Sequence, residues 1–198
     1  MIISKKDKVQ DMDKKTFRKI CIDGLKSKKE VNTYKLDKIV MQKLLIYIKR
    51  NKSRVIMLYI PLGIEVNILS LIRTLRKEKK TILVPFMEGE SFRLVKYRLP
   101  LNIKKFGVKE PNKSNKYNNK IDLAIVPVIG IDSTLRRVGF GKGFYDRFFE
   151  KNHKNINTIL FVGRKYCKSA EIITDDYDVK GDSYITPKNS FFKRNPRI

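Results

Sequence analysis

The chain alternates short continuous apolar runs with longer stretches in which apolar residues recur every three or four positions. Continuous apolar runs are typical of strands buried on both faces, and the longer spacing is typical of amphipathic helices. The predicted strands are 54–60, 81–84, 92–97, 123–128 and 158–162. The predicted helices are 13–27, about 36–49 and 65–77. This alternation predicts a single α/β domain over 1–198, built as a three-layer α/β/α sandwich with a mostly parallel central sheet.

Two polar segments interrupt this pattern. Residues 104–120 are rich in lysine and asparagine and contain Gly107 and Pro111, which predicts a mobile loop. The C-terminal residues 189–198 are polar and predict a loose tail. Neither segment suggests a second domain.

Composition and cysteine usage indicate where such a protein works. No run approaches the roughly 20 apolar residues of a membrane span, and the first residues lack the apolar core of a signal peptide. Cys21 and Cys167 are far apart and lack C-x-x-C spacing, so we expect free thiols in a reducing compartment. The sequence therefore predicts a cytoplasmic protein with no membrane partner, and we expect a monomer.

The net charge of +25, from 45 basic and 20 acidic residues, is large enough to attract polyanions. The lysines are nevertheless spread along the whole chain, and zinc-finger spacing, an RNP1-like motif and an arginine-rich arm are all lacking. Nucleic acid is therefore not the partner we expect, although a basic nucleic-acid-binding protein remains the alternative. The same charge could steer a small anionic substrate.

The densest chemical signal is the run Arg137-Val-Gly-Phe-Gly-Lys-Gly-Phe-Tyr-Asp-Arg147. It follows a predicted strand and precedes an amphipathic stretch, so it predicts a glycine-rich turn that opens onto a helix, with amide N–H groups facing an anion. The run fits neither a P-loop nor a dinucleotide-binding fingerprint, because Gly143 precedes no Lys-Ser or Lys-Thr pair and Phe144 stands where the third glycine is needed. A plain surface turn with incidental cations is the alternative.

Extended back to Asp122, this run resembles the 5-formyltetrahydrofolate cyclo-ligase family (methenyltetrahydrofolate synthetases), whose signature ends R-L-G-x-G-x-G-[YF]-Y-D-R. The match departs at Leu135, where the family has glycine, and at Val138, where it has leucine. The resemblance implies a Rossmann-like fold with its cleft at the carboxyl ends of central strands. It also implies ATP-dependent cyclisation of 5-formyltetrahydrofolate to 5,10-methenyltetrahydrofolate, with release of ADP and phosphate, in one-carbon metabolism.

The resemblance also implies a nucleotide site. The segment Lys15-Thr-Phe-Arg18 matches the family's K-x-x-[LF]-R, and its two cations share one helix face, although a solvated basic face would look the same. The residues expected to bind ATP are Lys15, Arg18, Lys19, Arg137, Val138, Gly139, Phe140, Gly141, Lys142, Gly143, Phe144 and Tyr145. Of these, Arg137, Lys142 and Tyr145 are the expected catalytic residues.

A folate site and a magnesium site are implied in the same way. The residues expected to contact the folate, which carries a polyglutamate tail in some forms, are Ile60, Glu65, Phe140 and Phe144. Asn67 and Ile68 depart from the family's pattern after Glu65, which could instead be a first-turn residue of a helix. Phe140 and Phe144 could equally be core residues.

Asp146 and Asp178 match the family's magnesium-associated aspartates, and Mg²⁺ together with ATP completes the expected cofactor set. From the residues alone, Asp146 could be a helix-start carboxylate paired with Arg147, and Asp178 a turn residue. Because Leu135 and the Glu65 loop depart from the family's pattern, a third hypothesis stays open, in which the protein is an ATP-using relative with another substrate.

Overall fold

The computed structural model describes residues 2–3 as backbone and residues 12–26, 32–104, 109–112 and 114–192 in full. Its helices are α1 Lys14–Lys26, α2 Thr33–Arg50, α3 Leu69–Lys77 and α4 Phe144–Asn152, the last followed by a 3-10 turn over His153–Asn155. The strands up to the middle of the chain are β1 Ile2–Ile3, β2 Val55–Met57, β3 Thr81–Glu88, β4 Ser91–Lys96, β5 Leu101–Ile103 and β6 Lys109–Pro111. The later strands are β7 Leu123–Pro127, β8 Gly130–Ile131, β9 Arg137–Val138, β10 Ile159–Val162, β11 Lys168–Ser169, β12 Ser183–Ile185 and β13 Ser190–Phe192.

The central sheet has seven strands in the order β13-β12-β10-β7-β2-β3-β4. The five inner strands are parallel, and β13 and β4 pair antiparallel at the two edges. The strands β2, β7 and β10 at the centre are short and wholly apolar, as expected where both faces of a sheet are covered.

Apolar residues from the two faces of this sheet form two separate cores. Helices α2 and α3 cover one face, where Leu44 and Ile72 pack with Ile56 and Ile125. Helix α4 covers the other face through Phe148 and Phe149. The predicted three-layer α/β/α sandwich with a mostly parallel sheet is confirmed.

Helix α1 lies on a separate small sheet in the order β1-β11-β8-β9. Phe17 is fully buried there, and a Cβ on Gly130 would lie 2.7 Å from its ring, so only glycine allows this close approach. The same contact surface contains Cys21 and Cys167, which form a disulfide with a Cα–Cα distance of 6.1 Å. The prediction of two free thiols is therefore wrong, because folding brings α1 against the start of β11.

Two element boundaries also differ from the sequence prediction. Helix α3 begins at Leu69 and not at Glu65. The Asn67 N–H before it donates to the Asp37 carboxylate, and the Asn67 side chain accepts the Leu69 N–H at the start of the helix. Strand β3 continues through Pro85, since β2 ends beside Leu83 and none of the described strands pairs with Pro85 on that side.

The described parts of the two polar segments contain strands. The predicted mobile loop contains β6, which pairs antiparallel with β5, and the predicted loose tail begins with β13, which pairs with β12. Gly107 and residues 193–198 lie outside the described residues. Within the part of the chain that the structure describes, no helix is long and apolar enough to cross a bilayer.

Candidate active site

The candidate site lies at the carboxyl ends of the adjacent strands β10, β7 and β2. From β2 the chain continues to β3 on one side, and from β7 it continues to β10 on the other. Open α/β sheets bind ligands in the crevice at such a switch point. The loops that follow these strands carry most of the residues singled out from the sequence.

The glycine-rich run forms the predicted turn onto a helix. Gly141 and Gly143 have φ angles of +88° and +69°, a left-handed backbone that favours glycine, and α4 begins directly afterwards at Phe144. Lys142 and Phe140 are exposed at the tip of the turn. The turn thus presents backbone and one cation at the start of a helix, where an anion is favoured.

Arg18 joins this turn to helix α1. Its Nε donates a hydrogen bond to the Gly139 carbonyl at 2.7 Å, although the two residues are 121 positions apart. Lys15 and Lys19 are exposed on the same helix. The structure therefore brings the N-terminal basic segment to the glycine-rich turn, as the resemblance implied for a shared phosphate site.

Arg137 lies beneath the turn and is only 6% exposed. Its Nε donates to the Pro127 carbonyl at 3.1 Å, one terminal nitrogen lies 3.8 Å from the Asp146 carboxylate, and the guanidinium stacks 4.7 Å from the centre of the Tyr145 ring. The partner of Asp146 is thus Arg137, and the expected alternative of an Asp146–Arg147 pair is wrong. Arg147 instead donates to the carbonyls of Lys142 and Glu90, at 2.6 and 2.7 Å.

Glu65 lies in the loop after β2 and not in a first helical turn, so that alternative is also wrong. Its carboxylate accepts the Leu62 N–H at 2.8 Å. Burial raises the pKa of Glu65 to about 7, and the Leu62 N–H and the charges of Arg137 and Arg164 oppose this rise. A carboxyl group with a pKa near neutrality inside a crevice is a candidate for ligand recognition.

The aromatic residues divide into an exposed and a packed set. Phe140 is 39% exposed, so it does not belong to the core, whereas Phe144 packs partly into the core beneath α4. Tyr145 meets Phe92 edge-on at 5.1 Å, and burial, followed by the charge of Glu65, raises its pKa above the usual value. Ile60 is half-buried after β2 and packs against the core that α2 and α3 cover.

The two aspartates predicted to bind magnesium lie close together but have different surroundings. Asp146 Oδ1 lies 3.4 Å from the backbone nitrogen of Val179, the residue that follows Asp178. Asp178 is buried, and its Oδ2 accepts both the Lys14 ammonium and the Asp175 N–H. Among the described residues no group of three or more His, Cys, Asp or Glu side chains could hold a metal alone. Mg²⁺ accepts a donor set of one carboxylate and phosphate oxygens, which Asp146 could complete, and the magnesium roles of Asp146 and Asp178 both stay predictions.

Sequence reasoning missed three polar residues that shape the crevice. Asp37 and Arg164 form a buried ion pair beside the Glu65 loop, and the Tyr59 hydroxyl donates to the Val66 carbonyl at 2.8 Å. One signal was available: Asp37 shares the helical spacing of the buried residues Val40 and Leu44, and an acid at a core position requires a partner.

Comparisons with known proteins agree with this arrangement. The model of the 5-formyltetrahydrofolate cyclo-ligase family matches residues 11–187. A 5-formyltetrahydrofolate cyclo-ligase of Mycoplasma genitalium is 27% identical over 88% of this chain and 98% of its own, and a probable one of Schizosaccharomyces pombe is 30% identical over 63% of this chain and 70% of its own. The solution structure of Aquifex aeolicus 5,10-methenyltetrahydrofolate synthetase superposes with a TM-score of 0.77 at 28% identity, covering 93% of this chain and 95% of the other. The matched residues include the glycine-rich turn, the basic helix α1 and most of the chain. The chain therefore belongs to the 5-formyltetrahydrofolate cyclo-ligase family.

Proposed function

We propose that this protein converts 5-formyltetrahydrofolate and ATP into 5,10-methenyltetrahydrofolate, ADP and phosphate. The observation that carries the proposal is that buried Arg137 lies between two unlike segments: it lies beneath the glycine-rich turn, and its charge acts on Glu65. The turn, tied to Arg18, would bind an anion, and the Glu65 carboxyl group could accept paired N–H donors of a pterin. The reaction of the family to which the chain belongs needs both a phosphate site and a pterin site.

The reaction balances without a redox step. The formyl oxygen attacks the γ-phosphorus of ATP, the bond to the bridging oxygen breaks, and ADP leaves. N10 of the folate then attacks the activated formyl carbon and closes the ring, and the C–O bond breaks to release phosphate. The N10 proton passes to solvent or to the departing phosphate.

The protein's contribution to such a reaction is positioning and charge neutralisation. Lys15, Arg18 and Lys142 would meet phosphate oxygens at the turn, and Lys19 lies on the same basic helix. Arg137 is buried and bonded to Pro127 and Asp146, so it would act at the triphosphate as a fixed positive charge beneath the turn. Tyr145, which lies against that guanidinium, would border the region between nucleotide and folate.

The remaining expected contacts are proposed on position. Amides from Val138 to Gly143 would line the phosphates, while Phe140 and Phe144 offer ring faces to folate or adenine. Glu65 would orient the pterin, with Ile60 beside it. Mg²⁺ would be held by Asp146 together with phosphate oxygens, and it would neutralise charge on the transferred group.

Substrate form, assembly and location complete the proposal. The +25 charge suits a polyanionic substrate such as a polyglutamylated folate, and we propose a monomer. The cytoplasmic location stays a prediction. The argument for it from free thiols does not hold, because Cys21 and Cys167 form a disulfide.

The test is the absorbance of the methenyl-folate band after the protein is mixed with 5-formyltetrahydrofolate and MgATP, with an ATP-free control. We expect an ATP-dependent rise, reduced by roughly two orders of magnitude in Lys142→Ala and in Asp146→Asn. A flat trace from folded protein that still binds ATP would favour a relative with another substrate. Tight, steeply salt-dependent binding of DNA or RNA that is indifferent to Asp146→Asn would favour the nucleic-acid alternative.

A further inference from the structure

A buried ion pair outside the glycine-rich turn fixes the loop that carries Glu65. We infer that Arg164 and Asp37 are positioning residues that set the Glu65 carboxylate for the folate, which rests on the function proposed above. Both residues act through the loop backbone and do not themselves contact the reacting atoms.

The pair has the geometry of a strong charge-assisted contact. Arg164 Nε and Nη2 donate to the two oxygens of Asp37 at 2.9 and 3.0 Å, a two-bond fork that a lysine cannot reproduce. Their side chains are only 11% and 7% exposed. Arg164 comes from the carboxyl end of β10 and Asp37 from the first turns of α2, so the pair joins the sheet to a covering helix across 127 positions.

The same two side chains bind the backbone on both sides of Glu65. Arg164 donates to the carbonyls of Gly63, at 3.2 Å, and of Glu65 itself. Asp37 Oδ2 accepts the Asn67 N–H at 3.1 Å. Three backbone groups within five residues of irregular chain are thereby fixed to one ion pair.

Packing of apolar side chains alone does not explain why this ion pair also binds the loop backbone. A loop without helix or strand bonds must fix its polar backbone groups in some other way, and a buried ion pair requires additional partners for its remaining donors and acceptors. The ion pair and the loop therefore satisfy each other's polar groups, and they do so directly beside the half-buried Glu65 carboxyl group. Burial raises the pKa of Glu65, and the Arg164 charge is among the groups that lower it, so the clamp also favours the ionised carboxylate.

The nucleotide side is fastened independently. The bonds at the glycine-rich turn run from Arg18 to Gly139 and from Arg147 to Lys142, and neither bond includes Arg164 or Asp37. Loosening the clamp should therefore impair folate recognition and leave ATP recognition intact. A general loss of structure would impair both.

The experiment compares steady-state kinetics of Arg164→Lys and Asp37→Asn with the wild type, varying each substrate in turn. Arg164→Lys keeps the positive charge and removes the fork, and Asp37→Asn keeps the size and removes the charge. We expect KM for 5-formyltetrahydrofolate to rise roughly 10- to 100-fold, with KM for ATP within about twofold of the wild type. Equal rises of both constants, or unchanged constants in both variants, would overturn the inference.

A matched control is Arg93→Lys. Arg93 is similarly buried, with a side chain 13% exposed, and donates to the Ser114 carbonyl at 2.7 Å on the edge strand β4. The Arg93→Lys variant replaces a buried arginine that contacts a carbonyl with lysine, and it leaves the Glu65 loop unchanged. We expect both KM values of this variant to match the wild type, and a folate-selective defect here would count against the clamp.

Hydrogen exchange separates this inference from the proposed function, because it needs no substrate. In Arg164→Lys we expect faster exchange of the Leu62, Glu65 and Asn67 amides, and unchanged exchange in α4. If the wild type does not turn over 5-formyltetrahydrofolate while these amides lose protection, the proposed function fails and the clamp stands. If the wild type is active and the amides keep their protection, the clamp fails and the function stands.

Discussion

A Cβ atom placed on Gly139 would lie 2.2 Å from a terminal nitrogen of Arg137, so the guanidinium occupies the space that any larger residue would need. The Gly139→Ala substitution must therefore displace either the turn or the buried arginine. We expect a folded enzyme that is destabilised by about 1–3 kcal/mol, the usual cost of overpacking, and whose kcat/KM falls roughly 100-fold. Chemical denaturation and the methenyl-folate assay measure the two effects.

The control for this substitution is Gly24→Ala, because a Cβ on Gly24 meets only the flexible end of Lys165, at 3.7 Å. Activity of Gly24→Ala should equal that of the wild type. If Gly139→Ala were fully active, the contact between Arg137 and the turn would have no catalytic importance.

Lys79 occupies the position that ends helix α3 with a left-handed backbone, at φ +57°. The Lys80 N–H bonds to the Leu75 carbonyl and the Lys79 N–H to that of Arg76, both at 3.0 Å, which is the Schellman arrangement that usually employs glycine. We expect Lys79→Gly to raise the free energy of unfolding by about 1 kcal/mol, since it relieves the Cβ strain of a left-handed residue. Urea unfolding measures the difference.

Lys79→Ala is the matched control, because it removes the same exposed side chain and keeps the Cβ. Its free energy of unfolding should stay within about 0.5 kcal/mol of the wild type. A glycine variant no more stable than the alanine variant would contradict the strain at this position.

Glu65 should make stability depend on pH in a direction opposite to that of a salt-bridged acid. Its pKa is raised to about 7 by burial, from an ordinary value of 4.5, so between these two values the folded protein binds more protons than the unfolded chain. Stability therefore falls as pH rises through this window, by at most about 3 kcal/mol. Urea unfolding of the wild type at pH 5 and at pH 8 measures the loss.

Glu65→Gln removes the titrating proton and keeps an oxygen that can accept the Leu62 N–H. Its stability relative to the wild type should therefore increase from pH 5 to pH 8. An identical pH dependence in the two proteins would show that Glu65 ionises normally.

The parts of the fold that could be predicted are those encoded by local pattern. Continuous apolar runs predicted the inner strands because both faces of the sheet are covered, and alternate glycines predicted the turn before α4 because two of them need a left-handed backbone. Leu135, which stands where the family has glycine, keeps the same kind of backbone at φ +62°. Leu135 therefore has the left-handed backbone that glycine would adopt without strain.

The relationships that could not be predicted join residues far apart in the sequence. Arg164 and Asp37 are 127 positions apart, so the helical spacing can mark Asp37 as a core position but cannot identify its partner. Arg137 was expected at the triphosphate because a cation beside glycines suggests phosphate binding, yet only the fold shows it buried beneath them. Local sequence specifies which groups are charged, and tertiary structure determines which of them face the crevice.

The disulfide between Cys21 and Cys167 closes a loop of 146 residues and fastens α1, the helix that carries Arg18, to the small sheet. Because cross-linking restricts the unfolded chain, reduction with dithiothreitol should lower the free energy of unfolding by roughly 2–4 kcal/mol. Denaturant unfolding with and without the reductant measures this loss, and thiol titration of the unreduced protein should find no reactive cysteine. The Cys21→Ser/Cys167→Ser double variant is the control, and its unfolding midpoint should not respond to dithiothreitol. Two titratable thiols in the native wild type would contradict the bond and restore the reducing-compartment interpretation of these cysteines.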